Sequence, residues 1–395
     1  MINFKKTLFL VFSALILLGA VLTFKFMVRQ SPTGVGQKAE SASGEFGSWP
    51  IFRGDRQLTG YAKAIPVKVE VSWRFRAKAS VNGGPVATEG KLFFGDSEGT
   101  LYCLDIYSGK SLWQKKISDG FSAPALLVDG VCYIGSQSGV FYALSMDDGK
   151  EIWQYKCSEQ INGSANYFRQ DGQLRIVFGC YDFQLRCLDG KAGKVLWAVK
   201  TGNYINGAPA IDDMDIVFGG CDGYIRYVNC LSGKEMRKVK LKSYIPASPA
   251  VFDATTFAAT YDNNVYALNR EGNILWSFDS GNDSAPFLAS PAVNSKFVVV
   301  GDRDGVVHIL NRKNGKKLNE FQAGGDIAVG PVVSDDMCIV ADKEGYLYCF
   351  DIDSATEKWR HLIGTEITAS ILIIDKSIII ADNDGNITHL SQKNI

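Results

Sequence analysis

Three observations in this chain predict an all-β, eight-bladed β-propeller of four-stranded antiparallel blades. A segment of the type Gly-x-Leu-Tyr-x-Leu-Asp-x-x-x-Gly-Lys-x-x-Trp recurs, with anchors at Gly99, Gly139, Phe183, Gly223, Asn263, Gly305, Gly345 and Gly385. Successive anchors lie 40, 44, 40, 40, 42, 40 and 40 residues apart. Six of the seven Trp residues share one slot of this repeat. A period of this size marks an architecture in which no unit buries its apolar face alone.

The elements follow from the unit between Ser80 and Gln114. Ser80 to Ala87 reads as a first short strand and Lys91 to Gly95 as a second; Leu101 to Asp105 and Ser111 to Lys115 complete the set. Turn signals separate them at Glu89-Gly90, at Asp96 to Gly99, and at Ser108-Gly109-Lys110. Short runs rich in β-branched and aromatic residues, closed by tight turns, make an antiparallel meander. Four strands in about 40 residues make one propeller blade.

Trp113, Trp153, Trp197 and Trp359 lie fourteen residues past their anchors, and Trp276 thirteen past, because its turn is one residue shorter. Arg237 and Asn319 fill the slot in two blades. The eighth unit ends before reaching it, while Trp73, in Val-Ser-Trp-Arg-Phe, precedes the first full unit. Residues 69–75 are therefore expected to complete the last blade, which removes the sheet edges an open ring would expose. This gives residues 1–30 as a signal anchor or signal peptide, 31–48 as a flexible tether and 49–395 as the propeller.

The recurrent segment, the blade-start prolines (Pro85, Pro124, Pro209, Pro249, Pro291, Pro331) and Trp49-Pro-Ile-Phe-Arg-Gly54 together resemble the PQQ-like, quinoprotein-type β-propeller repeat family. In that family the repeat Trp docks between neighbouring blades, so the resemblance gives Trp73, Trp113, Trp153, Trp197, Trp276 and Trp359 a structural role. The family holds quinone-dependent dehydrogenases as well as non-catalytic scaffolds of the BamB type, which serve outer-membrane protein assembly. The dehydrogenases need a calcium ion, a base and a quinone stacked between an aromatic floor and, in many, a disulfide of adjacent cysteines. This chain has no Cys-Cys pair and no long roofing loops, and its Trp outside the repeat slot, Trp49, sits in the lead-in. The expectation is a non-catalytic scaffold with no cofactor or metal, binding an unidentified protein partner; a quinone-dependent oxidoreductase is the alternative.

Lys+Arg and Asp+Glu both number 42, giving a pI near 6.8, so no basic stripe points to nucleic acid. The apolar run from Leu8 to Phe24, after Lys5 and Lys6, reads as an uncleaved membrane anchor with the propeller extracytoplasmic, periplasmic in a Gram-negative cell. Four turns of the form Asp-x-x-Gly, starting at Asp96, Asp302, Asp342 and Asp382, read as hairpin caps rather than calcium loops. His308, His361 and His389 show no metal-ligand spacing, and Asn162, Asn282 and Asn386 open glycosylation-type sequons. Nine Cys cannot pair completely; Cys180 and Cys187 flank one turn, and buried free thiols are the expectation. The turn Tyr181-Asp-Phe-Gln184 and the insertion Phe168-Arg-Gln-Asp-Gly172 read as loop drift rather than a binding epitope.

Overall fold

The computed structural model describes residues 47–393 apart from 118, 283 and 284. The chain divides into residues 1–43 and 44–395. The signal-anchor reading of residues 1–30, and the tether up to residue 46, lie outside the described residues. Among the described residues there is no helix, and so none long and apolar enough to cross a membrane.

Eight four-stranded antiparallel sheets carry the described chain. Blade 1 runs through Val86–Thr88, Lys91–Gly95, Thr100–Asp105 and Ser111–Lys116, from the ring axis outwards. Blades 2 to 7 repeat this order and begin at Leu126–Val128, Asn166–Gln170, Ala210–Asp212, Ala250–Phe252, Ala292–Val293 and Val332–Val333. Blade 8 takes three strands from the C-terminus (Leu372–Ile374, Ser377–Ala381, Asn386–Gln392) and its outer strand, Val69–Arg76, from the N-terminal side. Trp73 stands opposite His389 and stacks on it at 5.1 Å. The closure expected from the incomplete eighth unit is the one observed.

Burial follows the repeat. The second and third strands of each blade are buried along nearly their whole length, because both faces lie against neighbouring blades. The outer strand alternates exposed with partly buried residues. Each slot Trp binds its blade to the next: Nε1 of Trp73, Trp113, Trp153, Trp197 and Trp276 donates to the carbonyls of Ile106, Met146, Gly190, Cys230 and Arg312 at 2.9–3.1 Å. The indole also lies flat on a glycine of that next blade; a Cβ on Gly193 would stand 2.6 Å from the Trp153 ring. Trp359 donates to Pro66 O at 3.1 Å, so the segment entering blade 8 supplies what a turn supplies elsewhere.

The two slots without Trp are informative. Asn319 Nδ2 donates to Asp353 O at 3.3 Å, one carbonyl further along the turn than the indoles reach, and the facing turn carries Ala355 where other blades carry Gly. Arg237 instead ion-pairs with Asp215 at 2.7 Å and lies 4.2 Å above the Tyr227 ring. Three of the repeat cysteines, Cys103, Cys187 and Cys349, stand directly opposite a slot Trp, where a small apolar residue leaves room for the indole.

One expectation needs correction. The innermost strands are shorter than expected: in blade 1 only Val86–Thr88 is strand, and residues 80–85 are irregular. Gly83, Gly84 and Pro85 explain this, since Pro lacks a donor for the ladder and Gly weakens it. The nine cysteines are free thiols, as expected, and all but Cys221 are buried; Cys180 meets Cys157 of the preceding blade, and Cys187 packs beside Cys230.

Candidate functional site

The irregular inner segments surround a central channel. One residue per blade forms its mouth: Asn82, Ser122, Asn162, Asn206, Pro246, Leu288, Ala328 and Thr368, all half-buried. Behind them lie Gly, Ala, Ser, Pro and Val, enclosing a cavity of about 190 Å³.

The lead-in stoppers the other end. Trp49 exchanges two backbone hydrogen bonds with Ala87 of blade 1 (2.7 and 2.9 Å). Pro50 O then accepts from Leu127 N of blade 2, Arg56 O from Ile211 N of blade 4, and Gln57 O from Val251 N of blade 5. Thr59 O and Gly60 O accept from Val293 N and Val333 N of blades 6 and 7. Asn166 Nδ2 of blade 3 donates to Arg56 O at 2.8 Å. A strand facing the axis has unpaired donors, and the lead-in supplies a carbonyl to seven blades in their order round the ring.

Beneath the channel, Arg53 is buried, and burial pulls its guanidinium down to about 10. Its donors go to the carbonyls of Leu58, Thr59 and Pro291 at 2.9–3.4 Å. Phe52 is the aromatic residue among those lining the cavity, and none of the lining residues is charged. A planar, highly charged quinone needs stacking surface and fixed counter-charges. A cavity this small, lined without charge and underlain by an arginine already bonded to carbonyls, does not fit that group.

The four turn aspartates are buried, with their oxygens taken by the chain itself. Asp96 accepts from the backbone N–H of Glu98 and Thr100 and from Tyr102 Oη at 2.9 Å. Asp342 has the same arrangement with Tyr348, Asp302 with His308 Nε2, and Asp382 with Asn386. This matches the capping role read from the sequence. Blades 3 and 4 build the turn differently: Asp182 and Asp222 stand two residues later and hold Arg186 and Arg226 in bidentate pairs. The three histidines sit in separate blades, as expected.

Beside the channel mouth lies a feature that the sequence reading took for drift. Tyr181 stacks on Tyr204 at 4.6 Å, and Phe183 lies 5.1 Å from the same ring. Tyr244 stacks on Tyr261 at 4.5 Å. Tyr181 Oη donates to Asn206 Oδ1 at 2.5 Å, which ties this aromatic ledge to the mouth. Phe183, Tyr204, Tyr244 and Tyr261 are 37–42% exposed. Phe183 has φ 64°, at the turn position where the other blades place Gly or Asn. A left-handed conformation costs a residue with a Cβ about 1–2 kcal/mol. The clue available in the sequence was the placement of this Phe at a glycine anchor.

The family model described as "Beta-alanine-activating enzyme, beta-propeller" matches residues 122–395. The chain belongs to this propeller family. It is a PQQ-like propeller, as the repeat segment implied. No curated protein matches the chain. Among solved structures, the PQQ-like ring is similar to BamB from Moraxella catarrhalis, with 19% identity, 84% of this chain and 96% of that chain covered, and a TM-score of 0.62. It is also similar to quinohemoprotein alcohol dehydrogenase from Comamonas testosteroni, with 12% identity, coverage of 88% and 81%, and a TM-score of 0.73. The computationally designed protein Ika8 gives 18% identity, coverage of 80% and 96%, and a TM-score of 0.71. At these identities the likeness is one of fold, common to a scaffold and an enzyme alike.

Proposed function

We infer that this chain is a non-catalytic propeller that holds a protein partner on the aromatic ledge of blades 3–5. The apolar run from Leu8 to Phe24 anchors it, with the ring on the extracytoplasmic side, and assembly of outer-membrane proteins is the setting the BamB-type resemblance suggests. One observation carries the reading: Phe183 occupies a left-handed turn position where glycine is the easy choice, and its ring is 40% exposed beside Tyr204. Backbone strain that supports no interior packing points to a demand from outside the fold. Exposed Tyr and Phe on short loops of a stiff ring suit protein recognition, since aromatics dominate binding hot spots.

The test is photocrosslinking of the full-length chain in its native membrane. A photoreactive phenylalanine at position 183 should capture a discrete partner, and the same probe at Lys343, on the far side of the face, should not. Equal capture from both positions would overturn the ledge as the binding surface. Stoichiometric binding of pyrroloquinoline quinone and calcium, with dye-linked turnover, would overturn the non-catalytic reading.

A further inference from the structure

We propose that Cys157 and Cys180 are an oxidant-responsive thiol pair whose disulfide ties blade 2 to blade 3 beneath the aromatic ledge. Cys157 follows the outer strand Glu151–Lys156 of blade 2, and Cys180 ends Gln173–Cys180 of blade 3, one residue before Tyr181. Both are buried, and Sγ of each lies within 4.8 Å of the other and of an Asp182 oxygen. The sulfur of Cys180 accepts from Asp182 N–H at 3.5 Å. When Cys180 carries its own proton, Glu159 O receives it at 3.2 Å.

The repeat shows that neither sulfur is required for packing. Other blades place Ala77, Ile117, Leu241, Ala323 and Ile363 where Cys157 stands, and oxygen-bearing caps such as Asp96, Ser136 and Asp342 where Cys180 stands. Nor does the Asp182–Arg186 pair explain them. Blade 4 builds the equivalent Asp222–Arg226 pair beside Thr201 and Gly220. Two departures from the repeat thus fall in contact with each other, and both departures are thiols.

The chemistry separates this pair from the other seven cysteines. Donors converging on Cys180 hold its thiol below the ordinary range and push that of Cys157 far up. Burial raises the others, to about 12 at Cys103, Cys187, Cys230 and Cys349. A low-lying thiol next to a resolving thiol is the pairing a redox-responsive cysteine uses; both are buried here, so the oxidant reaches Cys180 when the 181–184 turn opens. A metal is the weaker occupant, because both Asp182 oxygens are held by Arg186 at 2.6 and 2.8 Å.

The oxidant class is a hydroperoxide. The Cys180 thiolate attacks the terminal oxygen; an S–O bond forms, the O–O bond breaks, and the alkoxide takes a proton to leave as alcohol. Cys157 then attacks the sulfenic sulfur; the S–S bond forms, and hydroxide leaves as water with the Cys157 proton. Two thiols lose two electrons and two protons, and the hydroperoxide becomes alcohol and water.

Trypsin cuts after Lys156, Arg169, Arg175 and Arg186, so each thiol lies on a peptide with no other cysteine. After brief treatment of the full-length protein with hydrogen peroxide and alkylation, mass spectrometry should find peptides 157–169 and 176–186 linked, with the remaining cysteines alkylated. Cys157→Ala, which adopts the residue of blades 6 and 8, should stop at a sulfenic acid on Cys180 that dimedone traps. Oxidation should also raise the melting temperature by several degrees, an increase absent from the variant. Both thiols alkylated after oxidation, equal linkage among other cysteines, or a stoichiometric metal shielding both thiols would each overturn the proposal.

Discussion

Blades 3–5 and blades 6–8 present the same repeat positions to the same face and fill them in opposite ways. On blades 6–8 those positions carry Arg303, Asp326, Lys343 and Glu366, linked by ion pairs of 3.1–3.6 Å, with Asn383 bonded to Glu366 at 2.8 Å. On blades 3–5 they carry Tyr181, Tyr204, Tyr244 and Tyr261, stacked in pairs, with Phe183 at their edge. The ionic side pairs its charges with one another. The aromatic side leaves rings exposed and keeps a backbone position that a glycine would relieve. One ring thus separates an ionic surface from an exposed aromatic one by side chain alone, with the strands beneath unchanged.

The largest effect expected from disturbing this comparison lies in the blade joints. Trp153→Ala, at the entry to the aromatic side, should cost about 3–5 kcal/mol in chemical denaturation. Asn319→Ala, in the same slot on the ionic side, removes one hydrogen bond and should cost about 1 kcal/mol. Equal costs would show that the indole ring adds nothing beyond its bond to Gly190 O.

Acid should act next, through the closing blade. Burial against Trp73 pulls His389 down from 6.5 to about 4, and its Nδ1 has no partner. The folded state therefore favours the neutral ring. Its contribution is fully present above pH 6.5 and is lost as pH falls towards 4, amounting to about 3 kcal/mol. Denaturation midpoints across that window, compared with those of His389→Ala, measure it. A wild-type slope no steeper than the variant's would refute the assignment.

Phe183→Gly should sharpen the contrast. Relief of the left-handed strain should stabilise the ring by about 1 kcal/mol, while partner capture at the ledge falls. A variant that is both less stable and fully competent would mean that Phe183 serves the fold. The smallest effect belongs to Lys343→Ala. Its two pairs are partly exposed, so the loss should stay below about 1 kcal/mol and capture should not change.

Much of this was legible in the chain. The period, the Trp slots and the displaced Trp73 specified the ring and its closure, because each is a side-chain choice repeated at fixed spacing. The anchoring of the lead-in was not legible beyond its Trp-Pro-x-Phe-Arg-Gly signature, since it works through main-chain carbonyls that every residue possesses. The ledge was missed for a different reason. Tyr181 and Tyr204 are separated by a whole strand pair, and only the ring geometry places them 4.6 Å apart. The same holds for Cys157 and Cys180, which belong to successive blades and lie 23 positions apart in the chain.

The lead-in also fixes when the protein can finish folding. Residues 49–60 leave the ribosome before any blade, yet their partners are spread from Ala87 to Val333, and Val69–Arg76 waits for Asn386–Gln392. The earliest part of the chain thus has nowhere to settle until the last part exists. Contacts of such long range are slow to form, because the loop must close before they repay it. The ring therefore closes as one late event, once Asn386–Gln392 is available to pair with Val69–Arg76.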